Sequence, residues 1–266
     1  LFGIVEGVTE WLPISSTGHL ILLNEFITLK VSEEFGSMFD VVIQLGAILA
    51  VIVLFFHKLN PFSAKKDSVQ KKDTWSLWFK VIVAVIPSAV IGLLLDDWMD
   101  AHFYNYIVVA ITLIIYGVAF LFVEKWNARR KFRITEVSAI DYRTAILMGA
   151  FQCLSLIPGT SRSGSTILGA IILGVSRSAG AEFSFFMAIP TMLGASALKL
   201  LKFLMEGVNA TSTELMVLIT GCVISFIVSL LVIKGLMEYV RKHSFSVFGI
   251  YRIVLGAAVL VYFLLT

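Results

Sequence analysis

Within Glu6-Gly-Val-Thr-Glu10-Trp-Leu-Pro13-Ile-Ser15-Ser16-Thr17-Gly18-His19, the turn residues Pro13-Ile14-Ser15-Ser16-Thr17-Gly18 break an apolar stretch over 1–29. Pro158-Gly159-Thr160-Ser161-Arg162-Ser163-Gly164 breaks another over 144–174. Each half of each stretch is about a dozen residues, too short for a bilayer core that takes about 20 helical residues to cross. A short apolar helix, a polar Gly/Ser/Pro turn and a second short helix make a re-entrant hairpin. Such backbone is tolerated at membrane depth only when buried in protein or lining a wet cavity.

The rest of the chain agrees. Of 266 residues, 58% are hydrophobic and only 15% charged, against about 25% charged in soluble domains. Six apolar blocks are long enough to span, at about 38–57, 75–96, 104–123, 183–205, 213–234 and 247–266. The expected fold is an all-α integral membrane protein with six transmembrane helices and two re-entrant hairpins. The net charge of +3 is small, and its basic residues sit in loops. That orients a membrane protein and leaves no nucleic-acid footprint. Cys153 and Cys222 lie in apolar stretches without metal-type spacing and read as buried small hydrophobes. The chain starts at Leu1 without a Met, so a few preceding residues are expected. With Glu6 and Glu10 in its first apolar run, that run is not read as a signal peptide.

The two broken stretches look like copies. Setting Glu6 against Gln152, an offset of 146, pairs Gly3 with Gly149, Ser15 with Ser161, Thr17 with Ser163 and Gly18 with Gly164. Two further residues of shift pair Glu34-Phe35 with Glu182-Phe183 and Leu45-Gly46-Ala47 with Leu193-Gly194-Ala195. One hairpin plus three spans is therefore read as a repeat used twice, 1–123 and 144–266, joined by a cytoplasmic connection over 124–143. Three spans per copy turn the second copy upside down and bring the hairpin tips together near the midplane. Connections 58–74, 124–143 and 235–246 carry Lys and Arg, whereas 97–103 and 206–212 carry none. The former are expected in the cytoplasm. The first hairpin then enters from outside and the second from inside.

Glu6 and Glu10, four apart, share a helix face. Carboxylates at membrane depth are costly and mark function, and two together need a shared proton or a cation. Ser15, Ser16 and Thr17, between Pro13 and Gly18, open a new helix, where hydroxyls and free N–H groups cradle phosphate. His19 supplies the only imidazole in either cluster; His57, His102 and His243 read as interfacial. Arg162 is a permanent cation whose planar fork suits a phosphate, or pairs with Glu6 or Glu10; both can hold in turn. Ser176-Arg177-Ser178 reads as an N-cap with an ordinary inside-facing arginine. Gln44 and Gln152 either brace the site or simply bond between helices.

With these motifs, and with Phe-Asp-Val-Val-Ile-Gln-Leu-Gly-Ala-Ile-Leu-Ala at 39–50 and Glu-Phe-Ser-Phe at 182–185, nearly the whole chain resembles the undecaprenyl-diphosphate phosphatases, or bacitracin-resistance proteins. The resemblance implies a phosphatase of the bacterial cytoplasmic membrane, its site open to the outside. It implies dependence on a divalent cation, Mg²⁺ or Ca²⁺, a C55 prenyl diphosphate substrate among membrane lipids, and a homodimer. Type 2 phosphatidic acid phosphatases are a poorer match: no histidine follows Arg162 until His243.

On this reading Glu6 and Glu10 hold the cation and Arg162 clamps the terminal phosphate. Ser16 is the nucleophile, with His19 as general base and later acid. His19 itself, or water, fits the same residues. Ser15, Thr17, Gly18, Thr160, Ser161, Ser163 and Gly164 line the phosphate. A lipid or anion transporter or flippase built on the same repeats is the alternative; a base and a metal site favour chemistry over passage.

Overall fold

The computed structural model describes the chain apart from residues 28, 104, 208, 209 and 266, and apart from the side chains of 33, 96, 97, 100 and 101. The described residues are helical wherever they are regular, save one parallel bridge between Ile134 and Val175. Six stretches are long and apolar enough to cross a membrane: Glu34–Leu54, Ser68–Leu95, Tyr106–Asn127, Arg177–Met205, Ser212–Lys242 and Ser246–Leu265. The protein is a multi-pass membrane protein. The expected span ends at 104 and 266 lie outside the described residues, as does position 28 of the first broken stretch.

The first broken stretch forms α1 (Phe2–Thr9) and α2 (Ser16–Phe26). The first span is divided between α3 (Glu33–Val42) and α4 (Gln44–Leu54), followed by a single turn, α5 (Phe56–Leu59). Then come α6 (Ser68–Phe103) and α7 (Tyr106–Asn127). The second broken stretch forms α8 (Tyr142–Cys153), a 3-10 turn over Leu154–Leu156, and α9 (Arg162–Ile172). The chain closes with α10 (Arg177–Met205), α11 (Ser212–Lys242) and α12 (Ser246–Leu265). At 1.5 Å rise per residue, α1, α2, α8 and α9 are only about 12–18 Å long, well short of a bilayer core.

Three helices outrun their apolar blocks. α6 starts at Ser68 rather than 75, α10 at Arg177 rather than 183, and α11 ends at Lys242 rather than 234. Their polar ends hold helix formers such as Gln70, Lys71, Lys72 and Arg241, which keep the backbone helical beyond the hydrophobic core. Hydropathy marks the membrane, not the helix end. Glu182 therefore lies past the first turn of α10, where its Oε1 takes a 2.6 Å bond from Lys58 Nζ.

The spans pack through small residues. On α7 and α12, a Cβ at Gly117 would lie 2.6 Å from the Gly249 carbonyl, and one at Gly249 would lie 2.8 Å from the Gly117 carbonyl. α1 rests on α11 and α8 on α6 in the same manner. A Cβ at Gly3 would lie 2.6 Å from the Gly221 carbonyl, and one at Gly149 would collide with the Ala84 carbonyl. Gly3 and Gly149 are the pair matched by the offset of 146. Trp11, Phe183, Phe185, Phe186 and Met187 form the buried centre, with Trp11 edge-on to Phe185 at 5.1 Å. Leu93, Leu94, Phe122 and Leu231 face outward, as lipid-facing side chains of a span must. Cys153 and Cys222 are free and half-buried rather than sealed in the core.

Candidate active site

Ser15 and Ser161 are the described non-glycine residues with positive φ, at 75° and 72°. Each is an N-cap: Ser15 Oγ accepts from the Gly18 N–H at 3.2 Å, and Ser161 Oγ from the Gly164 N–H at 3.1 Å. Such backbone costs on the order of 1–3 kcal/mol per residue and persists where the surroundings hold it. The matched residues of the two broken stretches thus carry matched geometry, and each caps an 11-residue helix. Free N–H groups at both helix starts suit an anion.

Glu10 joins the two turns. It ends α1 and is buried. Its Oε2 accepts from Ser16 Oγ at 2.6 Å. Its Oε1 accepts from Arg162 Nη2 at 3.0 Å and Nε at 3.3 Å. Ser163 Oγ donates to the Glu10 carbonyl at 3.1 Å. Arg162, the first residue of α9, also gives Nη1 to the Ser184 carbonyl at 2.9 Å, and its guanidinium carbon lies 5.9 Å from the Trp11 ring. The ion pair with Glu10 is therefore made, and the fork sits at the start of α9.

His19 is placed differently from the spacing argument. Nδ1 lies 2.7 Å from the Ser15 carbonyl and Nε2 lies 2.7 Å from the Tyr251 hydroxyl, with the two rings stacked. A carbonyl only accepts, so Nδ1 carries a proton, and in the neutral ring Nε2 accepts from Tyr251. Ser16 is bonded to Glu10, not to His19. Thr17 follows half-buried in α2. Thr160 is buried beside Ser161, whose Oγ lies 3.2 Å from Ser163 Oγ.

Both carboxylate oxygens of Glu6 are buried and neither has a hydrogen-bond partner. That orphaned carboxylate fits a divalent cation. Glu10 keeps a lone pair on Oε2 beside the one bond that Ser16 makes to it. No group of three or more His, Cys, Asp or Glu gathers among the described residues; Glu6 and Glu10 are the carboxylates that would hold such an ion, and it would supply charge neutralisation toward a phosphate. Gln152 gives Nε2 to Ser88 Oγ at 2.6 Å and Thr191 Oγ1 at 3.2 Å, which ties α8 to α6 and α10 and leaves the reacting groups untouched. Gln44 starts α4, half-buried.

The family model described as bacitracin resistance protein BacA matches residues 1–258. The chain belongs to the BacA family. Among family relatives, a protein of Enterococcus faecalis named undecaprenyl-diphosphatase is 57% identical over 264 residues, 99% of this chain and 96% of its own. A second from Enterococcus faecalis, of the same name, is 60% identical over 260 residues, 97% of this chain and 93% of its own. One from Lactiplantibacillus plantarum, also so named, is 57% identical over 265 residues, 100% and 96%.

Two features of this BacA-family chain escaped the sequence reading. Arg177 is more than an ordinary inside-facing arginine: it forms an ion pair with Glu124 of α7, whose Oε1 also accepts from the Phe245 N–H at 2.9 Å. Arg252, inside the last span, is fully buried against both turns. A lone cation in an apolar span was the available signal.

Proposed function

We propose that this protein hydrolyses undecaprenyl diphosphate to undecaprenyl phosphate and inorganic phosphate, recycling the lipid carrier of peptidoglycan synthesis and so conferring bacitracin resistance. Membership of the BacA family over residues 1–258 and relatives named undecaprenyl-diphosphatase support the substrate. The observation that carries the chemistry is Glu10 holding the Ser16 hydroxyl on one oxygen and Arg162 on the other.

The diphosphate enters between the two turns and exchanges with Glu10 for the Arg162 fork, which clamps the terminal phosphate. Glu10, released from that pair, takes the Ser16 proton. Ser16 Oγ attacks the terminal phosphorus, the bond to the bridging oxygen breaks, and undecaprenyl phosphate leaves. Water then cleaves the phosphoserine and frees inorganic phosphate and the serine hydroxyl. Arg162 and the N–H groups of α2 and α9 meet the charge that builds on the phosphoryl oxygens. Ser15, Thr17, Gly18, Thr160, Ser161, Ser163 and Gly164 shape that cradle. His19 Nε2, hydrogen-bonded to the Tyr251 hydroxyl, is the ring nitrogen through which the imidazole takes up or releases a proton. Glu6, with Glu10, would hold Mg²⁺ or Ca²⁺, which supplies charge neutralisation and Lewis acidity toward the phosphate oxygens.

The matched turns at Ser15 and Ser161 favour two inverted repeats with re-entrant hairpins meeting at the site. The Lys/Arg-rich connections favour a cytoplasmic-membrane protein whose site opens outward. The assembly carried forward from the family resemblance is a homodimer. The test is phosphate release from a C55 or C15 prenyl diphosphate by purified protein, with and without EDTA, beside Arg162→Ala. Metal-dependent release that collapses in the variant supports the reading; no release from folded, metal-supplied protein overturns it.

A further inference from the structure

Arg252 is the most deeply buried cation of the molecule's described residues, with none of its surface exposed. It sits on α12, outside both motifs. Its Nη1 donates to the Pro13 carbonyl at 3.0 Å. Its Nη2 donates to the carbonyls of Gly159 and Thr160 at 2.8 and 2.9 Å. One guanidinium therefore grips the turn of each broken stretch. Pro13 stands three residues before Ser16, and Thr160 two before Arg162. A Cβ added at Gly164 would lie 3.1 Å from Nη1, so the fork fits under the start of α9. Its carbon lies 5.5 Å from the Tyr116 ring of α7. The preceding residue, Tyr251, holds His19.

A buried cation balanced by carbonyl dipoles and one tyrosine ring is costly, and an apolar side chain fills such a place more cheaply. What an apolar residue lacks is the rigid, two-sided fork that addresses two backbones at once. α12 is a stiff support for it, locked to α7 by Gly117, Gly249 and Gly256. From this geometry we infer that Arg252 is a positioning residue for the phosphatase. It fixes the separation of the turn bearing Ser16 from the turn bearing Arg162. It touches carbonyls and not substrate, so its effect falls on the chemical step: a displacement of about 1 Å between reacting groups costs about a hundredfold in rate. The inference rests on the proposed site.

The test uses the full chain, purified in detergent with Mg²⁺, and the C15 diphosphate as probe, with Arg252→Met, Arg252→Lys and Glu10→Gln side by side. Arg252→Met is expected to elute as wild type, to lose about a hundredfold in kcat and to keep KM within twofold. Arg252→Lys, with one nitrogen to serve two turns, is expected to recover about tenfold of that loss. Folded Arg252→Met with near-wild-type kcat, or with a raised KM and unchanged kcat, overturns the inference. If the Met variant aggregates, Arg252→Lys decides alone: wild-type kcat overturns the inference, and a tenfold fall at constant KM supports it. Glu10→Gln separates the two readings. Should it retain turnover, the site itself is wrong; should it collapse while both Arg252 variants stay active, only the positioning role is lost.

Discussion

The Ser16 hydroxyl lies 2.6 Å from Glu10 Oε2, across the turn between α1 and α2, while Arg162 holds the other oxygen of the same carboxylate. Glu10, not His19, is thus the group bonded to the serine hydroxyl, and the proposed mechanism gives it the serine proton. In the proposed mechanism Ser16→Ala removes the nucleophile, and it is expected to lower kcat by at least about a thousandfold, as loss of a nucleophile does elsewhere. Glu10→Gln is expected to fall by a similar factor, and the double variant by little more, because the two act as one unit. Single-turnover phosphate release checks this. Near-wild-type turnover by Ser16→Ala would move the attack to water or His19.

His19 is pinned at both nitrogens, by the Ser15 carbonyl and the Tyr251 hydroxyl. Tyr251→Phe keeps the stacked ring and deletes only the donor to Nε2. The expected result is a fall in kcat of about tenfold with KM unchanged, and a larger fall, about a hundredfold, in His19→Ala, within the span of general acid–base catalysis. Coupling is the sharper readout. In His19→Ala the Tyr251→Phe change should cost nothing further, and full additivity would show that the two residues act separately.

Glu6 is a carboxylate with no exposed surface and no hydrogen bond to either oxygen. Chelation with EDTA is expected to abolish phosphate release, and added Mg²⁺ or Ca²⁺ to restore it. Glu6→Gln, with one oxygen fewer and no charge, should need at least about tenfold more cation for half-maximal rate. Turnover that ignores EDTA, or a Glu6→Gln metal response identical to wild type, removes the cation from Glu6.

Much of this was legible in the sequence. Polar residues at membrane depth are rare, so the two clusters stood out and their repeat could be aligned. In the structure Gly3 and Gly149 both lie at close helix contacts, and Ser15 and Ser161 both have positive φ. The partner of Ser16 was not legible. Helical spacing places His19 one turn on, but the ring turns back to the carbonyl of Ser15, while Glu10 reaches Ser16 across irregular backbone that no periodicity describes. Arg252 was missed because it is one cation in an apolar block without a motif, and its partners are carbonyls, which every residue possesses. Helix ends were misplaced where a helix continues past the membrane into water.

Glu124 closes the end of α7 away from the site. It receives the Arg177 guanidinium from α10 and the Phe245 N–H just before α12, and its side chain is almost fully buried. Two helices and the segment leading into α12 meet on one carboxylate. Glu124→Ala strands the guanidinium and an amide, and breaking a buried pair from one side costs about 3–5 kcal/mol. Arg177 is about a quarter exposed and water recovers part of that, so the expected loss is nearer 2 kcal/mol. The melting temperature in detergent should fall by several degrees. Because the pair lies outside the phosphate cradle, KM for the C15 diphosphate should hold within twofold at a temperature where the variant is folded. An unchanged melting temperature would show that these elements are held by apolar packing alone, and a raised KM at full folding would tie this junction to the site.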